Sequence, residues 1–520
     1  MHHTLLYILA LLFAVFLLVL LARKLKIAYP IFLVLAGLGI CFIPGVPTLH
    51  LDPDLIFLIF LPPLLYEAAW YTSWNDFWKW KRPIILLAFG LVFFTSSIVA
   101  YASVALIPGF TLALGFLLGG IVSPPDAVAA ASVLKGMSVP KRLMTILEGE
   151  SLVNDASSLI VFRFALLAAI SGSFSLQEAV VQFFLVAGMG VVVGLVGANF
   201  MYLIHRYLPT NVAIDAALTV MTPYLLFLLA EQFHFSGVMA VVSGGLYMSY
   251  RSHEVFQNGS TRLNMLGVWT TMIFVMNALV FILIGLELPE IIQGLGEYSV
   301  IQAIKYSLWV SVLVILLRFL WVYPAAHLPR WISRKVRKEP SPGWKGPLVI
   351  SWAGMRGVVS LATALSIPLY LTDGVAFPQR NLILFITFGV ILVTLVFQGL
   401  TLPFILRIIH LEEIDAVVPA EIQRAGIQKH LNQIALAELK GIEGNDWLNI
   451  FKAKLEREEQ PQPLSVKKRE EFHAVLLKIY SLQRKELFKL RRENAFSDEE
   501  IRRAELQLDL DEMSITGAEH

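Results

Sequence analysis

The sequence predicts an all-α polytopic membrane protein with about 13 transmembrane helices, followed by a helical cytoplasmic tail. The 520 residues are 57% hydrophobic and only 15% charged, whereas average soluble domains carry roughly 25% charged residues. The mean hydropathy is +0.69. The charges are unevenly placed, since 39 of the 80 lie after His410. This distribution indicates a membrane domain followed by a water-exposed segment.

The predicted domain boundary is this change in charge density. Residues 1–410 carry 24 basic and 17 acidic side chains, and residues 411–520 carry 17 basic and 22 acidic ones. Neither part has the positive excess that indicates nucleic-acid binding. We expect a transmembrane domain over 1–410 and a cytoplasmic tail over 411–520, either a solvated regulatory or assembly segment or one that docks on the membrane surface. In the tail, a proline-containing break at 460–463 precedes a charged amphipathic helix over 466–495.

Apolar segments of about 20 residues, long enough to cross a bilayer, follow one another through the first part of the chain. The first lacks the basic n-region and the cleavage site of a signal peptide, so we interpret it as a mature span. The predicted spans are 4–22, 27–43, 54–72, 83–106, 111–133, 143–170, 176–204, 211–231, 235–250, 265–287, 300–327, 346–371 and 381–409.

Positive charge alternates between successive loops. One set of loops carries nearly all of the cations and the opposite set offers only Arg380. The positive-inside rule therefore places the first set in the cytoplasm, with the N-terminus outside and the tail inside the cell (inner) membrane. The cytoplasmic set is Arg23, Lys24, Lys26, Lys79, Lys81, Arg82, Lys135, Lys141, Arg142, Arg206, Arg251, Arg262, Arg330, Arg334, Lys335, Arg337 and Lys338.

Two spans combine helix-breaking residues with an acidic side chain. The third reads FLPPLLYE over 60–67, so Glu67 follows two prolines inside an apolar run. The fifth reads GGIVSPPD over 119–126, which cannot form an uninterrupted helix. Irregular backbone is tolerated in a bilayer only where it lines a cavity or is buried in protein. Asp126 would lie at the N-terminus of the second half-helix, where the dipole favours a carboxylate. A snorkelling Glu67 and a simple proline kink are the structural alternatives.

The sixth span is the most polar and reads EGESLVNDASS over 148–158. Ser151 and Asp155 are four residues apart and share a helix face, while Glu150 and Asn154 share the neighbouring face. Because the span runs from about 143 to 170, Asp155 is expected close to the bilayer midplane. Ionisable side chains at this depth are costly and indicate a functional or paired site.

Two arginines lie in later spans. The twelfth reads SWAGMRG over 351–357, a second glycine-flanked interruption, and carries Arg356; the eleventh carries Arg318. A buried arginine needs an acidic partner. Glu150 points about 140° away from Asp155 on a helix, so we expect it to face another helix and pair with Arg318, with Arg356 as the second candidate.

The positions of the interruptions predict two repeats. The fifth and twelfth spans are seven apart, as are the third and the tenth, which end similarly at Glu67 and Glu287. We therefore expect inverted repeats over 1–175 and 207–410, joined by a linker helix over 176–206, with broken helices crossing at the midplane. This architecture is typical of secondary transporters with a midplane binding site.

The membrane domain contains, in this order, the segments FLPPLLYE (60–67), SPPDAVAA (123–130), EGESLVND (148–155), SGVMAVVSGGL (236–246) and WAGMRGVVSL (352–361). Together they resemble the monovalent cation:proton antiporters of the NhaP/NHE type. The resemblance covers the membrane domain. It implies that the protein is a bacterial-like Na⁺/H⁺ exchanger, forms a homodimer, is not an enzyme and has no cofactor besides the transported ions. The sixth span has the pair Asn154-Asp155 and not Asp-Asp, which resembles the electroneutral branch of this family.

The resemblance assigns roles to individual residues. It implies that Asp155 binds the ion and the proton, with Asn154 as its neighbour, and that Na⁺ contacts Asp155, Ser151 and Glu67. It makes Asp126 the acidic residue of the unwound fifth span. It gives a structural role, and not an ion-binding one, to the charged residues Glu150, Arg318 and Arg356.

One departure from the family lies in the fifth span. The family has Thr-Asp-Pro at the break, and this chain has Pro125-Asp126-Ala127. The contact of the threonine with the ion is therefore lost, or another residue makes it, and Ser123 is the candidate. The transported cation could then also be K⁺ or Li⁺.

The chemistry of these residues agrees with exchange. Carboxylate and hydroxyl oxygens suit hard cations, and one carboxylate can hold either a proton or a cation. A passive cation channel is the alternative of another class. An intramembrane aspartyl protease using Asp126 and Asp155 would need Tyr-Asp and Gly-x-Gly-Asp contexts, which the sequence lacks. An ATP-driven pump would need a phosphate-binding loop, which the sequence also lacks.

Overall fold

The computed structural model describes most of the membrane domain and part of the tail. Several predicted features lie outside the described residues: Lys135, Lys338, the loops 44–52, 173–175 and 372–374, the break at 460–463 and much of the predicted helix 466–495. The described residues are 2–43, 53–134, 137, 139–172, 176–255, 259–296, 298–337, 341–371, 375–411, 420–439, 452–453, 475–483, 486–487, 489, 504, 507–508 and 510–511.

The described residues are almost all helical, with one isolated antiparallel bridge between Tyr370 and Ala376. The helices of the first half are α1 (His2–Leu25), α2 (Tyr29–Ile40), α3 (Pro53–Tyr71), α4 (Trp74–Lys79), α5 (Lys81–Ile85), α6 (Val92–Leu106), α7 (Leu112–Val122), α8 (Ala127–Leu134), α9 (Lys141–Ser171) and α10 (Leu176–Tyr207). Those that follow are α11 (Val212–Gln232), α12 (Gly237–Tyr250), α13 (Ser252–Val255), α14 (Gly259–Leu286), α15 (Leu288–Gln293), α16 (Val300–Ile332), α17 (Arg334–Arg337), α18 (Lys345–Trp352), α19 (Val358–Leu365), α20 (Arg380–Leu392), α21 (Gly399–Ile409) and α22 (Ala420–Leu439).

The prediction of an all-α polytopic membrane protein is confirmed. Within the described residues, eight helical segments are long and apolar enough to cross a membrane, and α2 is a shorter apolar helix of 12 residues. The total of 13 spans and the inverted relation of the two halves stay predictions. The eight segments are Lys81–Leu106, Leu112–Leu134, Lys141–Ser171, Val181–Tyr207, Val212–Gln232, Thr261–Gln293, Val300–Ile332 and Arg380–Ile409.

The two predicted interruptions are breaks between short helices. The chain leaves α7 at Val122 and enters α8 at Ala127, and it leaves α18 at Trp352 and enters α19 at Val358. By contrast, α3 continues through Pro62 and Pro63. Paired prolines alone therefore do not end a helix here. The first break reads SPPD over 123–126, and the second reads AGMRG over 353–357, without proline.

Two π-helical turns connect consecutive helices without breaking a span. One, Leu86–Leu91, joins α5 to α6, and the other, Val393–Gln398, joins α20 to α21. Such turns often lie at functional sites, because the extra residue redirects side chains and frees backbone groups.

The long helix α9 lies between two hydrophobic clusters. Leu143, Ile146 and Phe162 belong to the larger cluster, while Leu152 and Leu159 belong to the smaller one. α9 therefore has packed neighbours on opposite sides, which fixes the direction of the polar side chains between them.

The chain divides into two compact units, Met1–Asp415 and Ala416–His520. The first unit contains all of the helices from α1 to α21, and the second contains α22. The further division of the first unit into two repeats and a linker helix stays a prediction.

Candidate functional site

A cavity of about 690 Å³ lies beside the first helix break, and we call it the central cavity. Residues of α2, α3, α8, α9, α14 and α19 line it. Two of the lining residues, Tyr71 and Glu148, are exposed to solvent, so the cavity reaches the surface at that end. Its carboxyl groups are those of Glu67, Asp126, Glu148 and Asp155.

Asp155 lies at the buried end of this cavity. Its side chain belongs to α9, and the residue is 6% exposed. Among the residues that the structure describes, no hydrogen bond or ion pair engages its carboxylate, although Ser158 donates to its backbone carbonyl at 3.0 Å. Ser151, one helical turn earlier, lines the same cavity. The Asp155 carboxylate is thus available to a small cation or a proton.

Ser151 also holds the first broken helix in place. Its hydroxyl oxygen accepts the backbone N–H of Ala127, the first residue of α8, at 3.2 Å. This bond satisfies one of the N–H groups that a helix start leaves without an intrahelical partner. The hydroxyl therefore joins α9, which carries Asp155, to the half-helix α8.

Asp126 caps the half-helix α8. Its Oδ1 accepts the backbone N–H groups of Val128 at 2.8 Å and Ala129 at 3.3 Å. Its own N–H donates to the carbonyl of Met355, in the second break, at 2.6 Å. A carboxylate in this position is stabilised by the capping bonds and by the helix dipole.

The carboxylate of Asp126 also lies against the start of the other second half-helix. A Cβ atom on Gly357, which precedes α19, would overlap Oδ2 and Cγ of Asp126. Glycine is therefore required at this close approach. As a result, one negative charge lies at the N-termini of both α8 and α19.

The two buried arginines occupy the opposite helix ends. Arg356 donates through Nε to the carbonyl of Val122 at 3.0 Å and through Nη2 to that of Ser123 at 3.4 Å, and it also bonds the carbonyl of Gly354. Arg318 donates through Nε to the carbonyl of Ile350, near the end of α18, at 3.1 Å. Each guanidinium thus lies at a half-helix C-terminus, where the dipole favours positive charge.

Glu150 and Arg318 form a bidentate ion pair. The two bonds, Nη1 to Oε1 at 2.6 Å and Nη2 to Oε2 at 2.9 Å, join side chains that are at most 1% exposed. A Cβ on Gly354 would overlap the Arg318 guanidinium, so that glycine gives the pair its space. Neither member lines the central cavity. Arg356, the second candidate partner, instead bonds backbone carbonyls.

Two of the residues expected at the ion have side chains that donate hydrogen bonds to backbone carbonyls. Asn154 donates through Nδ2 to the carbonyl of Pro125 at 3.3 Å, and Ser123 donates through its hydroxyl to the carbonyl of Gly120 at 3.2 Å. Neither lines the central cavity. The helix break leaves backbone carbonyls that need donors, and these side chains supply two of them.

The polar lining residues that the sequence did not indicate include an acid and an amide. Glu148 lies one turn before Leu152 on α9, and Asn277 is a buried amide in the apolar helix α14. A signal for Asn277 exists, because it is an isolated amide in an otherwise apolar run. Glu148 carries a weaker signal, since it lies near the end of its span.

A smaller cavity of about 230 Å³, the distal cavity, lies past Asp155 along α9. Leu159 and Arg163 of α9 line it, together with Glu231 of α11. Arg163 Nη2 and Glu231 Oε2 form an ion pair at 2.5 Å. α9 thus lines one cavity with residues before and at Asp155 and another with residues after it.

The family model described as "Sodium/hydrogen exchanger, transmembrane" matches residues 9–408. The chain belongs to the sodium/hydrogen exchanger family. It is therefore a multi-pass membrane protein, as the apolar helices also indicate. The match covers the helices that build both cavities and ends before the tail.

Two similar proteins are named as antiporters of monovalent cations and H⁺. The chain is 35% identical over 386 residues to a sodium, potassium, lithium and rubidium/H⁺ antiporter of Bacillus pumilus, covering 72% of this chain and 57% of that protein. It is 33% identical to a low-affinity Na⁺/H⁺ antiporter of Synechocystis, covering 74% and 69%. The chain thus spans little more than half of the length of the Bacillus relative.

A solved structure has the same fold. The sodium proton antiporter MjNhaP1 from Methanocaldococcus jannaschii matches 77% of this chain and 97% of its own with a TM-score of 0.58, at 20% sequence identity. The likeness concerns the arrangement of helices.

Proposed function

We propose that the protein is a secondary antiporter that exchanges a monovalent cation, Na⁺ in the first instance, for H⁺ through one carboxylate site at Asp155. The observation that carries the proposal is the Asp155 carboxylate, which is nearly buried, lines the central cavity and has no partner among the described residues. Ser151 and Glu67 line the same cavity and would supply further oxygen ligands. Ser123 and Asn154 are not part of this proposed ligand set.

The proposed chemistry is competition for one charge. A buried carboxylate is costly when it is charged and alone, so it requires either a proton or a cation. Both cannot occupy the same oxygens. Each passage of the site from one side of the membrane to the other would therefore carry either the cation or the proton.

The two cavities support alternating access as the transport mechanism. The central cavity reaches the surface near Tyr71 and Glu148, and the distal cavity lies beyond Asp155 along α9. With the basic loops in the cytoplasm, the described conformation would be open to the cytoplasm. The Arg163–Glu231 pair would then lie on the outer side. The N-terminus would be outside, the tail would be cytoplasmic, and the location would be the cell (inner) membrane.

The proposal extends to stoichiometry, cation and assembly. Because Asp126 is engaged as a helix cap and Asn154 is neutral, we infer one cation per proton and no net charge movement. K⁺ and Li⁺ are second candidates, because the name of the Bacillus relative includes them. The resemblance also implies a homodimer.

Proton flux in proteoliposomes tests the proposal. We expect cation addition to release protons with Na⁺, and with K⁺ or Li⁺ if selectivity is broad, and we expect an imposed membrane potential to leave the rate unchanged. Proton or cation flux that needs no counter-ion would instead mean a channel. A rate that follows the membrane potential would contradict one-for-one exchange.

A further inference from the structure

A cleft of about 380 Å³, which we call the basic cleft, lies apart from the central and distal cavities. The starts of α5, α9 and α18 and the end of α16 surround it. None of the described residues that line it is acidic. Its six cationic side chains are Lys79, Lys81, Arg82, Arg142, Arg330 and Lys345.

Two helix N-termini add to this positive charge. α9 begins after Pro140 and α18 begins after Trp344, and both of these residues line the basic cleft. No side-chain hydrogen bond caps either N-terminus. Because helix N-termini carry partial positive charge and free N–H groups, they attract anions. The basic cleft therefore favours an occupant with negative charge.

The inner wall of the cleft is apolar. Its lining residues Leu87, Leu143, Ile146, Val322 and Ile350 are buried. A small inorganic anion makes no use of such a wall, whereas a hydrocarbon chain gains free energy there by leaving water. The occupant should therefore be amphiphilic.

The surroundings match the boundary between lipid and water. Trp344 lines the cleft and is 59% exposed, and Trp78, the residue before Lys79 in α4, is 54% exposed. Exposed indoles are typical of the headgroup level of a bilayer. The Nζ atom of Lys81 lies 4.0 Å from the centroid of the Trp78 ring, so cation and indole meet at the same level.

We propose that the basic cleft binds an anionic phospholipid, with the phosphate among the cationic side chains and an acyl chain along the apolar wall. The site adjoins the buried ion pair without being part of the cation site. Ile146 lies one turn before Glu150, and the Ile350 carbonyl accepts from Arg318. A bound lipid would therefore brace α9 against α16 and α18 and raise thermal stability.

Native mass spectrometry and thermal unfolding of the full-length, delipidated protein test this. The ligands are phosphatidylglycerol, phosphatidylcholine with the same acyl chains, and inorganic phosphate. We expect phosphatidylglycerol to remain bound and to raise the Tm, and the other two to do neither. The variant Lys79→Gln/Lys81→Gln/Arg82→Gln should lose affinity by about a hundredfold, since each cation near a headgroup contributes about 1 kcal/mol.

The matched control removes three exposed cations at and just after the end of α1, Arg23→Gln/Lys24→Gln/Lys26→Gln, and should bind phosphatidylglycerol normally. Ala326→Trp, which fills the cleft without changing charge, should also abolish binding. Equal binding of phosphatidylcholine, an equal effect of inorganic phosphate, or equal losses in both triple variants would overturn the proposal. So would a failure of the intact chain to bind any phospholipid, as expected if its own acidic tail filled the cleft.

Discussion

Arg356, in the break between α18 and α19, donates through Nε to the carbonyl of Val122, in the break between α7 and α8, at 3.0 Å. The reverse link also exists, because the N–H of Asp126 donates to the carbonyl of Met355 at 2.6 Å. Each interruption thus satisfies backbone groups that the other leaves free. The two broken helices form one polar unit, and Asp155 lies beside it in the central cavity.

Gly357→Ala should disrupt this unit. The added methyl group would overlap the Asp126 carboxylate, which must then leave its place at the start of α8. We expect thermal stability to fall by about 1 kcal/mol, the usual contribution of an N-cap, and cation-dependent proton flux to fall at least tenfold. The control is Gly267→Ala, where a methyl group meets no atom within 4 Å. Normal flux in Gly357→Ala would show that the position of Asp126 does not matter.

Glu150→Gln and Arg318→Gln should each reduce yield and stability. Removing one partner of a buried ion pair strands the other charge and typically costs about 3–5 kcal/mol. The double variant should recover part of the loss, because no lone charge remains. Thermal unfolding of the purified proteins checks this, with Asp76→Asn as the control for a more exposed pair. A stable Glu150→Gln protein with cation affinity shifted tenfold would make Glu150 an ion ligand instead.

The Asp76–Lys141 pair outside the spans predicts a pH dependence. The hydrogen bond from Lys141, at 2.8 Å, lowers the pKa of Asp76 below its usual value. The pair therefore stabilises the protein above about pH 4, the usual Asp pKa, and the contribution is lost as the pH falls through the lowered pKa. Because Lys141 is 70% exposed, the contribution should stay below about 1 kcal/mol. The Tm difference between wild type and Asp76→Asn should thus vanish at low pH; a difference that grows there contradicts the pairing.

The sequence was sufficient for the all-helical class and for the breaks after Val122 and Trp352, since hydropathy, glycine and proline act locally. It also indicated the partner of Glu150, because a buried arginine needs an acid. It did not indicate that Arg356 reaches Val122, because nothing local relates residues 234 positions apart. For the same reason it did not indicate that the amide of Asn154 donates to the carbonyl of Pro125, in the first break.

Removal of the tail after residue 412 should leave exchange measurable. The family match ends at residue 408, and those residues of the described part that line the central cavity precede it. We expect at most an altered pH profile, since the proposed site lies within the part of the chain that the family model matches. Complete loss of flux in a normally inserted, truncated protein would mean that the tail is part of the transport machinery.

Asp155→Asn, assayed for cation-dependent proton flux in proteoliposomes, tests the central claim most directly. The amide keeps the size of the side chain, but it cannot take up and release a proton as a carboxylate does, and it carries no negative charge to bind a cation. The matched control is Asp76→Asn, which makes the same change at a carboxylate that does not line the central cavity. The account predicts a folded, inserted Asp155→Asn protein with no flux for any of Na⁺, K⁺ and Li⁺, and a control with normal flux. Cation-dependent proton flux that persists in Asp155→Asn would contradict it.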